Sequence, residues 1–140
     1  MTGNPVEVLA ILAGYLLGSV SFSHLLARSK GMDLRSMGSG NLGATNTARS
    51  LGTGFGATVY FLDAAKGAIP VLAAIWILDL PSGGWIPVLA GAGALLGHVW
   101  PVWHGFRGGK GVATLTGAMF VLQPLSGLAA AGVALLLAKL

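Results

Sequence analysis

Two glycine-rich segments that also carry cations hold most of the side chains suited to chemistry in this sequence. The first glycine segment, residues 38–49, reads GSGNLGATNTAR. Its glycines allow sharp turns and a close approach of the backbone to a ligand. Free backbone N–H groups together with a guanidinium form a binding place for phosphate. The candidate phosphate-binding residues of this segment are Gly38, Ser39, Gly40, Asn41, Gly43, Thr45, Asn46 and Arg49. The alternative is a solvated loop made of turn-forming residues.

The second glycine segment, residues 105–111, reads GFRGGKG and directly precedes a helix-forming stretch. A glycine loop that leads into a helix N-terminus binds anions through its N–H groups and the helix dipole. The candidates here are Gly108, Gly109, Lys110 and Gly111. The segment is not a P-loop, because that motif needs Gly at position 104 and Ser or Thr at position 111. The alternative is a charged cytoplasmic turn, for which four glycines are unnecessary.

A charged pair interrupts the second apolar stretch of the chain. Asp63 and Lys66 are three residues apart, so on a helix they share one face and can form an ion pair. Ionisable residues inside a membrane helix are costly and often functional. Two interpretations therefore stay open, a buried structural pair or a role in or beside the site, where His98 is a further candidate. We expect His24 to be a buried core residue instead.

The composition indicates an integral membrane protein. Of the 140 residues, 54% are hydrophobic and only 9% are charged, whereas soluble domains carry about 25% charged residues. The absence of cysteine excludes disulfides, thiolate nucleophiles and cysteine-bound metals, and we expect neither a metal site nor a cofactor. The net charge of +4 does not indicate nucleic-acid binding, because cations in the loops of a membrane protein fix its orientation.

Apolar stretches long enough to cross a bilayer must position the two glycine segments. They cover residues 5–27, 54–80 and 85–103, followed by a short stretch at 112–123 and, after Pro124, a last apolar run. The first stretch has no preceding cation and no cleavage pattern, so we expect a permanent membrane segment. The sequence thus predicts one all-α domain, a polytopic transmembrane helical bundle.

Glycine spacing predicts how the helices pack, and the distribution of charge predicts which side of the membrane each loop faces. Gly14 with Gly18, and Gly93 with Gly97, are spaced for close helix packing. Pro70 is expected to bend the second long helix. Cations cluster at residues 28–49 and 107–110, which predicts that both glycine segments are cytoplasmic, with the N-terminus and the turn at 79–84 outside. The two segments would then form one composite site beside the lipid phase.

Four motifs resemble the bacterial acyl-phosphate-dependent glycerol-3-phosphate 1-acyltransferase family. They are GSGNLGATNTAR at 38–49, FLDAAKG at 61–67, GHVWP at 97–101 and FRGGKGVAT at 106–114. The resemblance covers nearly the whole chain and implies a seven-helix bundle in the bacterial inner membrane, of which about five helices are present here. It also implies transfer of an acyl group from acyl-phosphate to glycerol-3-phosphate, which gives lysophosphatidic acid and phosphate.

The same resemblance implies roles for individual residues. Ser39 and Arg49 match residues that the family needs in its first motif, residues 108–111 match its acyl-phosphate-binding loop, and Lys110 matches a cation that contacts phosphate. A third family motif would lie beyond the end of this sequence, so an inactive fragment or a non-catalytic membrane subunit is an alternative. A small transporter of a phosphorylated solute is another, although we find no matched broken helices in two halves.

The expected mechanism is direct attack by the glycerol-3-phosphate hydroxyl. An acyl-phosphate is an activated anhydride, so the protein has to position it and stabilise an oxyanion. No histidine in the sequence is followed five residues later by aspartate, so we expect a substrate phosphate to act as the base. A covalent acyl-Ser39 intermediate is a weaker alternative, because the sequence places no base beside that serine.

Overall fold

The computed structural model describes residues 4–81 and 84–138, and every regular element in this part of the chain is helical. Three stretches, Pro5–Ser29, Thr53–Ile77 and Trp85–His104, are long and apolar enough to cross a membrane. The predicted all-α membrane architecture is therefore confirmed. The α-helices are α1 (Pro5–Gly18), α2 (Phe22–Ser29), α3 (Ala44–Leu51), α4 (Thr53–Ile77), α5 (Trp85–Val99), α6 (Val112–Leu122) and α7 (Pro124–Ala138), with 3-10 turns at Leu34–Ser36 and Val102–His104.

Two sequence predictions extend beyond the described residues. The turn predicted at 79–84 includes residues 82 and 83, and the last apolar run includes residues 139 and 140, all of which lie outside the described part. The predicted proline break is present, since α6 ends at Leu122 and α7 begins at Pro124. α4 continues through Pro70 as one helix, so this proline does not divide it.

The first predicted span is two helices, α1 and α2, and serine hydroxyls form hydrogen bonds on both sides of the break between them. Ser19 Oγ donates to the Tyr15 carbonyl at 2.8 Å, and Ser21 caps α2 by accepting the His24 N–H at 3.4 Å. Such side-chain bonds compete with the backbone ladder. His24 is only half-buried, with its ring centroid 4.7 Å from that of His104, so the expectation of a buried core residue was wrong.

The predicted glycine pairs of α1 and α5 face each other. The α5 backbone occupies the space where a Cβ of Gly14 or Gly18 would lie, and the α1 backbone does the same for Gly93 and Gly97. In lipid, helices associate through close van der Waals packing rather than through the hydrophobic effect, so small residues at the contact are decisive. This contact fixes the end of α5 against the break that follows α1.

A second glycine contact, which the sequence analysis did not single out, joins α4 to α6. The Thr114 carbonyl fills the Cβ position of Gly67, and the Ala64 carbonyl fills that of Gly117. The backbones of α4 and α6 are therefore in contact at Gly67 and again at Gly117. As a result the N-terminus of α6 lies beside the part of α4 that carries Asp63.

Candidate functional site

The first glycine segment is half loop and half helix. Gly38 and Gly40 adopt positive φ angles of 56° and 69° in its turns, whereas residues 44–49 belong to α3. The sequence analysis described this segment by its glycine turns and did not predict the helix. Local side-chain bonds support the helix, since Thr47 Oγ1 donates to the Gly43 carbonyl at 3.0 Å. Arg49 therefore projects from a helix rather than from a loop.

Asn46 holds this loop together from inside. Its Oδ1 accepts the Ser39 backbone N–H at 3.0 Å. Its Nδ2 donates to the backbone carbonyls of Leu34, Met37 and Asn41 at 3.3, 3.0 and 3.1 Å. Asn46 is only 3% exposed, and these contacts use both N–H bonds of its amide. These contacts give Asn46 the role of fixing the loop. Asn46 also lies on the wall of a cavity that Ser39 and Arg49 line, and substrate binding by its side chain stays a prediction.

The second glycine segment caps the C-terminus of α5. The N–H groups of Gly108 and Gly109 donate to the carbonyls of Val99 and His98 at 3.0 and 3.1 Å. The last carbonyls of a helix have no intrahelical partner, so these bonds satisfy them. The prediction that the Gly108 and Gly109 N–H groups bind an anion is therefore revised, because those groups already have acceptors within the protein.

The N–H groups left available to an anion at this place are those of the first turn of α6. Gly111 adopts φ of 79° as the N-cap residue and gives the helix its sharp start. The first N–H groups of an α-helix lack intrahelical acceptors, and in α6 they belong to Val112 and Ala113. Both residues, together with Lys110, lie on the wall of a small polar cavity of about 90 Å³.

The two glycine segments meet at a larger cavity of about 320 Å³. Ser39 and Arg49 from the first segment and Lys110 from the second lie on its wall. Within the residues that the structure describes, neither Arg49 nor Lys110 has a carboxylate partner. Two cations without a counter-ion beside one cavity favour an anionic ligand with strong, charge-assisted hydrogen bonds.

An apolar groove of about 400 Å³ adjoins this cavity at Lys110. The two spaces share Lys110, Val112 and Ala134 on their walls. Aliphatic side chains make up most of the rest of the groove, namely Leu95, Leu115, Ala130 and Val133. A cation at the junction of a polar cavity and an apolar groove suits a ligand with an anionic head and a hydrocarbon tail.

The candidate charged residues form one buried cluster next to the small cavity. Lys66 Nζ lies 3.0 Å from Asp63 Oδ1, which confirms the predicted ion pair. His98 Nδ1 lies 3.8 Å from the same carboxylate oxygen, and both Asp63 and His98 contribute to the cavity wall. The sequence search for a histidine and an aspartate at fixed spacing missed this pair, because the two residues lie on different helices.

Tyr60 is a site residue that the sequence analysis missed. It lies on α4 and contributes to the wall of the larger cavity. Its hydroxyl is buried and has no hydrogen-bond partner among the described residues. The polar character of one α4 face next to Asp63 was a usable signal, but a tyrosine in an apolar helix is more often a packing residue.

The remaining candidates divide between the two cavities and the backbone turns. Asn41 and Thr45 lie on the walls of both cavities, and Gly43 on that of the smaller one. Gly38 and Gly40 shape the turns, as described above. Among the predicted polar site residues, Asn46 holds the loop, whereas Asp63 and Lys66 form an ion pair. Lys66 Nζ also donates to the Val20 carbonyl at 2.6 Å.

Comparison with known proteins gives one consistent result. A family model described as glycerol-3-phosphate acyltransferase matches residues 8–140. A glycerol-3-phosphate acyltransferase of Shouchella clausii is 52% identical over 132 residues, which cover 92% of this chain and 63% of the relative. One from Aquifex aeolicus is 47% identical over 114 residues, which cover 81% and 58%.

Solved structures agree with these relatives. The crystal structure of PlsY, an integral membrane glycerol 3-phosphate acyltransferase, in its glycerol 3-phosphate form matches with a TM-score of 0.81 and 44% identity, covering 87% of this chain and 60% of that one. The lysophosphatidic acid form matches with a TM-score of 0.79. The chain thus spans between 58% and 63% of the length of these relatives.

Proposed function

Because the chain belongs to the glycerol-3-phosphate acyltransferase family, we propose that it transfers a fatty acyl group from acyl-phosphate to the 1-hydroxyl of glycerol-3-phosphate. The hydroxyl oxygen attacks the acyl carbon, the bond from that carbon to the phosphate oxygen breaks, and phosphate leaves with the electron pair. The hydroxyl proton goes to a phosphate oxygen, so the products are lysophosphatidic acid and phosphate. The solved relatives with glycerol 3-phosphate and lysophosphatidic acid forms support this substrate and product.

One observation carries the proposal. Arg49 and Lys110 come from separate glycine segments, lack carboxylate partners in the described part of the chain, and lie on one cavity wall. The reaction brings together two phosphorylated substrates, which need two positive charges. The apolar groove that begins at Lys110 suits the acyl chain of the donor, and the polar cavity suits the small acceptor.

The roles of the side chains follow from this division. Lys110 and the N-terminal N–H groups of α6 hold the donor phosphate, where the helix dipole favours negative charge. Arg49 holds the phosphate of the acceptor as a bidentate fork. Ser39 orients a substrate, and no cofactor is needed because the donor is already activated. Positioning and charge neutralisation supply the catalysis.

The membrane orientation follows the distribution of cations. We place both glycine segments on the cytoplasmic side of the bacterial inner membrane, with the N-terminus outside, because loop cations accumulate on that side. A contact between the first cationic region and the residue that precedes the second glycine segment supports a common side, since Arg35 Nη2 donates to the His104 carbonyl at 2.6 Å. The site then meets soluble glycerol-3-phosphate at the membrane surface.

Two further functions remain as test outcomes. One is a non-catalytic subunit or inactive fragment, and the other is a small transporter of a phosphorylated solute, which would require two matched halves. Both the 140-residue chain and an extended protein are therefore assayed. The extended protein is residues 1–140 followed by the C-terminal part of the Shouchella clausii relative that this chain does not match.

The test measures acyl transfer from acyl-phosphate to glycerol-3-phosphate in detergent or bilayers. We expect Arg49→Ala and Lys110→Ala each to lower kcat/KM of the extended protein about tens- to thousands-fold, the effect of losing about 2–5 kcal/mol of buried charged contact. Arg28→Ala is the matched control and should stay near wild type. Near-normal kcat/KM in both cavity variants, with the helices intact, would refute the site.

A further inference from the structure

The buried charged cluster connects three separate parts of the helix bundle. Asp63 and Lys66 on α4 are 2% and 3% exposed, and His98 on α5 is 6% exposed. Lys66 Nζ bridges the Asp63 carboxylate at 3.0 Å and the Val20 carbonyl, in the break between α1 and α2, at 2.6 Å. The cluster therefore ties α4 to that break and, through Asp63, to the end of α5.

His98 also contacts the second glycine segment in two ways. Its backbone carbonyl accepts the Gly109 N–H at 3.1 Å. Its imidazole Nε2 lies where a Cβ of residue 109 would be, and the Leu42 carbonyl of the first glycine segment approaches the same point. The His98 ring and the Leu42 carbonyl thus both lie on the side of Gly109 where a Cβ would project. The two glycine segments therefore meet at this imidazole.

A purely structural role is a poor explanation for these charges. Burying ionised groups away from water is costly, and well-packed apolar residues usually replace a buried ion pair without loss of stability. In addition, His98 Nδ1 has no hydrogen-bond partner within the described residues, although Asp63 Oδ1 lies 3.8 Å away. This short separation allows a small ring movement to close an Nδ1–H to carboxylate bond.

We propose that Asp63, held by Lys66, orients the imidazole of His98 and that this ring keeps Gly109, and with it Lys110, at the correct distance from the first glycine segment. Asp63, Lys66 and His98 are then positioning residues for the phosphate site. The inference deepens the proposed acyl transfer and rests on it. It requires no contact between the cluster and substrate and no change of protonation.

The test separates positioning from stability by replacing both charges together. In the extended protein, Asp63→Leu combined with Lys66→Met removes the buried ion pair without leaving a lone charge. We expect an apparent thermal midpoint in detergent equal to or above that of wild type. We also expect kcat/KM for acyl-phosphate to fall about ten- to hundred-fold, since misplacement by about 1 Å costs this much. His98→Phe, which keeps a ring, should show the same kinetic loss, and His24→Phe is the matched control.

A second readout does not need activity. The chain has no cysteine, so spin labels at Ser36→Cys and Arg107→Cys report the distance between the two cationic regions. The wild-type background should give one narrow distance, and the Asp63→Leu/Lys66→Met background a shifted or broad one.

The outcomes separate this inference from the proposed function. Wild-type kinetics and an unchanged label distance in the stable double variant would overturn the positioning role. So would a kinetic loss that merely parallels a loss of thermal stability. If the wild-type extended protein transfers no acyl group, the proposed function fails, and the label distances alone then decide whether the cluster positions the two segments.

Discussion

Replacing Asn46 by alanine should unfold the first glycine segment rather than weaken substrate contacts. The Asn46 amide joins the backbone at Ser39, Leu34, Met37 and Asn41, at distances from 3.0 to 3.3 Å. The amide has two N–H groups, which donate two hydrogen bonds shared among three carbonyls, and its Oδ1 accepts a third hydrogen bond. At about 0.5–1.5 kcal/mol each, Asn46→Ala should cost about 1.5–4.5 kcal/mol.

The assay compares stability with binding. At the middle of that range, the apparent thermal midpoint in detergent should fall on the order of 10 °C, taking about 2–4 °C per kcal/mol. Ser39→Ala is the matched control, because only the backbone N–H of Ser39 takes part in the Asn46 network. It should leave the midpoint unchanged and lower kcat/KM for acyl transfer. An Asn46→Ala variant with wild-type stability and a raised KM for glycerol-3-phosphate would show instead that the amide is a substrate ligand.

Three shorter predictions follow from the same geometry. Tyr60→Phe removes only a buried hydroxyl without a partner in the described chain, so it should leave the thermal midpoint unchanged or raise it. The KM for acyl-phosphate or for glycerol-3-phosphate should rise several-fold, and a destabilised variant with a normal KM for both contradicts this. Gly108→Ala should abolish transfer, because its Cβ would meet the carbonyls that end α5. Gly54→Ala is the control and should be mild, because its Cβ meets no atom within 4 Å and its φ is not positive. Ser82→Cys should be labelled from outside intact cells and Ser36→Cys protected, and the reverse pattern would reject the proposed orientation.

The helical architecture was predictable because its signals are local. Long apolar stretches, the proline at 124 and the glycine pairs of α1 and α5 each lie within one helix. Short polar elements were less accessible. Half of the eight residues of α3 are weak helix formers, and the break between α1 and α2 carries hydroxyl hydrogen bonds that composition alone does not reveal.

The site was predictable as a set of residue types but not as a set of contacts. Sequence reasoning selected Ser39, Arg49 and Lys110, and the structure brings all three to one cavity. It misassigned the N–H groups of Gly108 and Gly109, because a glycine loop before a helix looks the same whether its N–H groups face a ligand or a neighbouring helix end. Only the tertiary position of the α5 C-terminus distinguishes these two cases.

Glycine therefore has two distinct tasks in this fold, and the site depends on both. In α1, α4, α5 and α6, glycine brings helix backbones into contact and so fixes where each helix ends relative to its neighbour. In the second glycine segment it lets the chain cap α5 and turn at Gly111 into α6. Only Lys110 and Gly111 separate the cap from the open N-terminus of α6. A shift of α5 along α1 should therefore move Lys110 as well. We therefore expect the proposed phosphate site to be sensitive to packing far from the cavity. The buried Asp63–Lys66–His98 cluster lies where α4 and α5 meet.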